Sequence, residues 1–361
     1  DIMQEFAYQF QGFCQFRYAN HSNPEILETL RRNRDAWNLA ETMEILNRLV
    51  EAGRSRQSDP LSKIVQQFGY FATIELARIH CLLGDYVSSL STVADIRLND
   101  RSELFNRSPV CHFNLLYHIG VSQMMLGRYE DSIGTLSDCV AYVLGLSKPG
   151  ASVSLRSGVS NNLNRMMEKA LSLLAILLTL TPYYRADDQV RAAVDAKFSD
   201  KMRRLAAGDA ATANELFEFS CPKFICPIIP DHTVARATND VYESQVRYMV
   251  EKILREIPFL KVRNFLSMYK SIEVAKLAEF TGISETALRE LLDAHTAKVA
   301  DQSNKCIDEL RFVVNGDLLV VERGPNRVDQ ALLSERFFLS NMRKQRDIVA
   351  SINKTFSDLK L

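Results

Sequence analysis

The 361-residue chain carries none of the short patterns that announce the common enzyme chemistries. It has no glycine-rich loop able to cradle phosphate with backbone N–H groups, so nucleotide hydrolysis and dinucleotide binding lose their usual anchor. It has no Gly-x-Ser-x-Gly elbow to expose a serine nucleophile and no His-Glu-x-x-His pair to hold zinc on one helix face. The six histidines (His21, His80, His112, His118, His232, His295) are dispersed and read as structural or surface residues rather than bases. Net charge is also missing. Forty-four Lys and Arg balance 44 Asp and Glu, which removes the whole-chain field that would draw nucleic acid or an anionic membrane.

Long apolar runs are absent too. The longest, near residues 170–180, contains Ser and Thr and stops before Pro182, which suits a buried helix and not a bilayer span. Seven cysteines scattered through helical stretches form no disulfide framework and indicate reduced thiols in the cytosol or nucleus. Cys221, Cys226 and His232 lack the paired short spacing of zinc knuckles, so no metal, no cofactor and no catalytic residue is expected. The chain opens on Asp1 rather than Met, which points to a fragment of a longer product.

What is present is a repeated helical turn. Gly84-Asp85-Tyr86-x-x-Ser89-Leu90 recurs 43 residues later as Gly127-Arg128-Tyr129-x-x-Ser132-Ile133, each preceded by a leucine and an apolar helix. The pattern is of the tetratricopeptide type: Gly84 and Gly127 end one helix, and Tyr86 and Tyr129 pack as the next begins. A helix pair this small cannot bury its own apolar face, so neighbours must stack into a superhelix. The connection 98–108 accounts for a period longer than the regular repeat of about 34 residues.

Around these turns the chain divides into four expected parts: an N-terminal helical segment 1–62, a repeat superhelix 63–256, a winged helix 257–323 and a terminal helix 324–361. Phe6, Phe10 and Phe13, with Tyr8, Phe16 and Tyr18, make one aromatic helical face that suits either a core or a partner. Asn23-Pro24 opens a helix, 53–62 and 145–162 read as loops, and the proline-bearing stretch 220–230 reads as an extended connector. A helix 241–255 follows, then a helix from Pro258 to Tyr269, one capped by Ser271 and one capped by Ser284. Two strands joined through Asn315-Gly316 complete three helices and a hairpin. The third of these helices carries Glu285, Glu290 and Asp293 against Arg289 and Lys298, and the hairpin tip offers Asp317. That acidity argues against specific DNA reading and for protein binding. In the terminal segment Phe338, Met342, Val349, Ile352, Phe356 and Leu359 fall on a heptad seam that suits either folding back on its own domain or, the favoured reading, joining a multi-helix bundle with other subunits.

Helical repeats feeding a winged helix and a terminal helix resemble the PCI architecture of the proteasome lid, the signalosome and eukaryotic translation initiation factor three. The stretch Tyr269-x-Ser271-Ile272-x-Val274-x-Lys276-Leu277-Ala278 with Gly282-Ile283-Ser284-Glu285 is similar to the general winged-helix motif of that family. Tyr8-Gln9-Phe10-Gln11, Leu82-Leu83-Gly84-Asp85-Tyr86, Asp200-Lys201-Met202, Glu215-Leu216-Phe217 and Ser220-Cys221-Pro222-Lys223-Phe224 resemble the subunit L branch of the initiation factor. The resemblance implies a mainly α, non-catalytic, cytoplasmic scaffold that assembles with other subunits, with E and K as expected neighbours, and supports binding to the small ribosomal subunit. Ribosomal RNA is a further expected contact through Arg31-Arg32-x-Arg34 or Lys201-x-Arg203-Arg204, although both clusters also read as solvated helix faces. A lid or signalosome scaffold is the alternative, and a winged-helix nucleic-acid binder a more distant one. No membrane partner is expected.

Overall fold

The computed structural model describes residues 2–20, 23–55, 60–98, 104–146, 157–184, 186–228, 241–300 and 311–322, with Phe338, Met342, Gln345, Arg346 and Val349 beyond them. Among the described residues the chain is mainly helical, with one three-stranded sheet. It divides into two compact units, residues 1–258 and 259–361.

The first unit begins with α1 (Ile2–Ala19), α2 (Pro24–Arg32), α3 (Leu39–Ser55) and α4 (Pro60–Leu83). Met3, Ala7, Phe10 and Cys14 recur at helical spacing and bury one face of α1 against Leu46 and Val50 of α3 and Ala72, Leu76 and Ile79 of α4. The aromatic N-terminus therefore divides. Phe10 is fully buried, while Tyr8 and Phe16 remain 60% and 47% exposed on the other side of the helix. Asn23 caps α2 by accepting from the Glu25 and Ile26 N–H groups, and Pro24 sits where its missing donor costs nothing. Trp37 adopts φ +52 in the turn before α3, a left-handed conformation that costs a non-glycine residue free energy. Helices α3 and α4 touch backbone to backbone. A Cβ on Gly69 would lie 2.8 Å from the Leu49 carbonyl oxygen and 2.9 Å from the Gly53 Cα.

The unit continues with α5 (Tyr86–Thr92), a 3₁₀ turn (Leu104–Arg107), α6 (Pro109–Met125), α7 (Tyr129–Leu146), α8 (Ser157–Leu180), α9 (Asp188–Ala207) and α10 (Ala210–Ser220). Every residue from 170 to 180 is buried, so the apolar run is a central core helix, as its length required. Ser108 starts α6 by accepting from the Cys111 N–H, and Asp209 starts α10 by accepting from the Ala211 N–H.

Helix α11 runs unbroken over Val241–Met268 with Pro258 inside it, where the sequence predicts two helices meeting at the proline. A proline removes one backbone donor. The loss is tolerated because Ile253 and Ile257 before it, and Val262 and Leu266 after it, are each buried in a core.

The second unit is a winged helix: the end of α11, β1 (Ser271–Glu273), α12 (Val274–Thr281), α13 (Glu285–Ala300), β2 (Arg311–Asn315) and β3 (Leu318–Glu322). The strands pair antiparallel in the order β1-β3-β2, with Ile272 opposite Leu319 and Val313 opposite Val320. Two expectations need correction. Ser271 does not cap a helix; it opens a third strand, and α12 starts at Glu273 without a side-chain cap. Isolated, Ser-Ile-Glu is too short to show a period, and β3 supplies the partner that makes it a strand. The hairpin turn is Gly316-Asp317, one residue later than Asn315-Gly316, because Asn315 pairs with Leu318 and Gly316 takes φ +67. Ser284 does cap α13, accepting from the Ala287 N–H at 3.4 Å.

Candidate interaction surfaces

The two repeat turns are alike atom by atom. Gly84 and Gly127 have φ +85 and +84, and in each turn the next N–H reaches back five residues to close the helix end, Asp85 to His80 and Arg128 to Gln123. Ser89 donates to the Ala77 carbonyl at 2.8 Å, and Ser132 to the Gly120 carbonyl at 2.7 Å. The serine thus bonds, at the same offset in both copies, to the helix before its own turn. The turns differ where sequence does: Asp85 caps α5 by accepting from the Ser88 N–H, whereas Arg128 pairs with Asp131 at 2.7 Å.

Both tyrosines reach the same helix. Tyr86 donates to Gln245 Oε1 at 2.8 Å and Tyr129 to Glu256 Oε1 at 3.1 Å. Eleven residues of α11 make about three turns, so both acceptors lie on one side of it, roughly 16 Å apart. Lys252 sits between them, donating to the Met125 carbonyl at 3.0 Å and lying over the Tyr129 ring. Burial raises the pKa of both phenols, and the Glu256 carboxylate adds to the effect at Tyr129, so both hydroxyls remain protonated donors. The repeats therefore hold the first part of α11. Gln245, Lys252 and Glu256 escaped the sequence reading because polar residues on a long helix carry no sign of their partners.

The segment 220–228 does more than connect. The Ile225 N–H donates to the Leu82 carbonyl, Tyr117 donates to the Ser220 carbonyl, and Arg17 of α1 donates to the Pro227 carbonyl at 3.0 Å. Phe224 and Ile225 are buried, one in each of two neighbouring cores. Arg17 also donates to the carbonyls of Ala36 and Trp37, which fixes the left-handed Trp37, and its guanidinium lies 4.5 Å from the Phe13 ring centre. This side chain, 2% exposed, joins α1, the turn before α3 and the segment 220–228.

On the winged helix Arg289 of α13 is engaged within the domain. Arg289 binds Glu285 at 2.8 Å, Asp317 at 2.7 Å and the Gly316 carbonyl at 2.9 Å, tying the helix to the hairpin tip. Met268, Tyr269 and Phe280, with Val313 and Leu318 on the strands, are exposed apolar side chains of this unit. In the terminal segment Phe338, Met342 and Val349 are helical and 65%, 64% and 54% exposed. Ile352, Phe356 and Leu359 lie outside the described residues.

Of the basic clusters, Arg32 pairs with Glu28, Arg203 with Asp200, and Lys201 with Glu215 of the next helix. Burial drives His118 down to about 3 and His112 to about 4, so both stay neutral. His118 bonds the Asn114 carbonyl, and His112 stacks on Tyr142. Among the described residues no three His, Cys, Asp or Glu side chains converge as a metal site, and His232 lies outside them. No described helix is long and apolar enough to cross a membrane.

A family model described as Paf67, RNA polymerase I-associated factor PAF67, matches residues 1–344. The chain belongs to the Paf67 family. This Paf67-family chain is 32% identical over 309 residues to eukaryotic translation initiation factor 3 subunit L of Danio rerio, with 80% of this chain and 53% of the relative covered. The Homo sapiens protein of the same name is 31% identical over 309 residues, covering 80% and 54%. That of Nematostella vectensis is 29% identical over 311 residues, covering 81% and 58%. The Paf67-family chain is thus a homologue of subunit L and spans little more than half the length of these curated relatives.

Proposed function

We propose that this chain acts as a non-catalytic scaffold in translation initiation factor 3, in the cytoplasm. The carrying observation is the shared name of relatives that align with four fifths of the chain. The repeats fit this role as an internal frame: their tyrosines are engaged by α11 and are not offered to a ligand. The outward surfaces are the apolar side of the winged helix and the terminal heptad helix, in which Phe338, Met342, Val349, Ile352, Phe356 and Leu359 face partner helices. Subunits E and K are the neighbours, with the small ribosomal subunit bound by the assembly. Protein binding is favoured over DNA reading because Arg289 is held by Glu285 and Asp317. Direct ribosomal RNA contact is the weaker reading, since Arg32, Lys201 and Arg203 each have a carboxylate partner.

Affinity purification from the source cell with mass spectrometry tests this. Subunits E and K with small-subunit ribosomal proteins are expected. Lid or signalosome subunits, or RNA polymerase I, in their place would overturn it.

A further inference from the structure

The segment 220–228 runs beside α1 in the same direction. Gln11 Nε2 donates to the Lys223 carbonyl at 3.4 Å, and Arg17 Nη1 donates to the Pro227 carbonyl at 3.0 Å. Six residues of helix advance roughly 9 Å while four extended residues advance roughly 13 Å, so the two stretches keep company between these bonds. Cys14 falls between Gln11 and Arg17, and Cys226 falls between Lys223 and Pro227. Both cysteines line one pocket of about 420 Å³, with Tyr18 and Tyr242. The third thiol of this region, Cys221, does not line that pocket and is engaged 3.7 Å from the Glu218 carbonyl and 3.6 Å from the Tyr242 hydroxyl.

We propose that Cys14 and Cys226 are a peroxide-sensitive pair whose oxidation staples the segment 220–228 to α1. The pocket admits a molecule the size of hydrogen peroxide, since one water occupies about 30 Å³ of liquid. Cys226, half-buried at the wall, reacts first. Its thiolate attacks one peroxide oxygen, the O–O bond breaks, and the departing hydroxide takes up a proton to leave a sulfenic acid and water. The Cys14 sulfur then attacks the sulfenic sulfur, the S–O bond breaks, and the released hydroxide takes the Cys14 proton as a second water. Two thiols are oxidised by two electrons in all, and one peroxide is reduced to two waters. Burial pushes the Cys14 thiol up to about 11 against the opposing pull of Arg17, so its attack on the sulfenic sulfur gains as pH rises.

The test uses the full chain, treated with hydrogen peroxide, blocked with N-ethylmaleimide and digested without reduction. The expected product is a peptide pair joined through Cys14 and Cys226, two hydrogens lighter than its parts and released by dithiothreitol. It is absent from Cys226→Ser, and its formation raises the thermal unfolding midpoint of the wild-type chain. A Cys221–Cys226 link overturns the proposal. So does recovery of Cys226 as sulfinic acid with Cys14 unoxidised. Because Cys14→Ser touches the core, the wild-type peptide map decides the matter without it.

Discussion

Two glycines on neighbouring helices should respond to alanine with opposite signs. Gly69 in α4 faces backbone: its added Cβ meets the Leu49 oxygen at 2.8 Å and the Gly53 Cα at 2.9 Å. Neither atom can rotate away, so α3 and α4 must separate, and overpacking of this kind costs about 1–3 kcal/mol. Replacing glycine by alanine in a helix returns up to about 1 kcal/mol, leaving Gly69→Ala destabilised by about 1–2 kcal/mol. Gly12 in α1 has nothing within 4 Å of its built Cβ, so Gly12→Ala keeps only the favourable part, about 0.5–1 kcal/mol. Urea unfolding followed by circular dichroism at equal protein concentration reads both variants. The unfolding free energies should bracket the wild type, separated by about 1.5–3 kcal/mol. Equal stabilities, or Gly69→Ala above Gly12→Ala, would refute the close crossing of α3 and α4.

Other substitutions test the remaining links. Tyr86→Phe and Tyr129→Phe should each lose about 1 kcal/mol, and the loss at Tyr129 should shrink in a Glu256→Gln background by double-mutant cycle. Arg17→Met should cost about 3 kcal/mol, because three carbonyls lose a charged donor and Trp37 loses its restraint; denaturant melts measure it, and a change below 1 kcal/mol would discard the clamp. His118 and His112 have folded pKa values below the unfolded value near 6.5, so the unfolded chain binds more protons below that pH. Stability should be intact above pH 6.5 and fall as pH drops toward 4, by up to about 1.4 kcal/mol per unit for each histidine, in part offset by the raised Glu75. His118→Gln should flatten the slope, and a flat wild-type profile from pH 7 to 5 would contradict it.

The elements readable from sequence were those whose cause is local. A glycine at positive φ, a serine five residues on and a capping Asn, Ser or Asp each act within one turn, so the repeat turns, α2 and α13 could be placed. The misread elements depend on distant partners. Strand β1 exists because β3 lies beside it, Pro258 stays helical because its neighbours are buried, and the segment 220–228 is a strap because residues about 140 to 210 positions earlier hold it. Arg17 was invisible for the same reason, since nothing in α1 announces that its one arginine is 2% exposed. The glycines and tyrosines of the two turns could be named from the sequence, while the docking of Tyr86 and Tyr129 on α11 emerges only from the fold.

In the function proposed above, partners are met through the terminal helix while the repeats serve as frame. Parallel affinity purifications of wild type and a Phe338→Asp, Met342→Asp, Val349→Asp variant, quantified by mass spectrometry, test it most directly. The variant is expected to keep its circular dichroism and to lose most of its co-purifying initiation factor 3 subunits. Retention of those subunits at wild-type levels would contradict it.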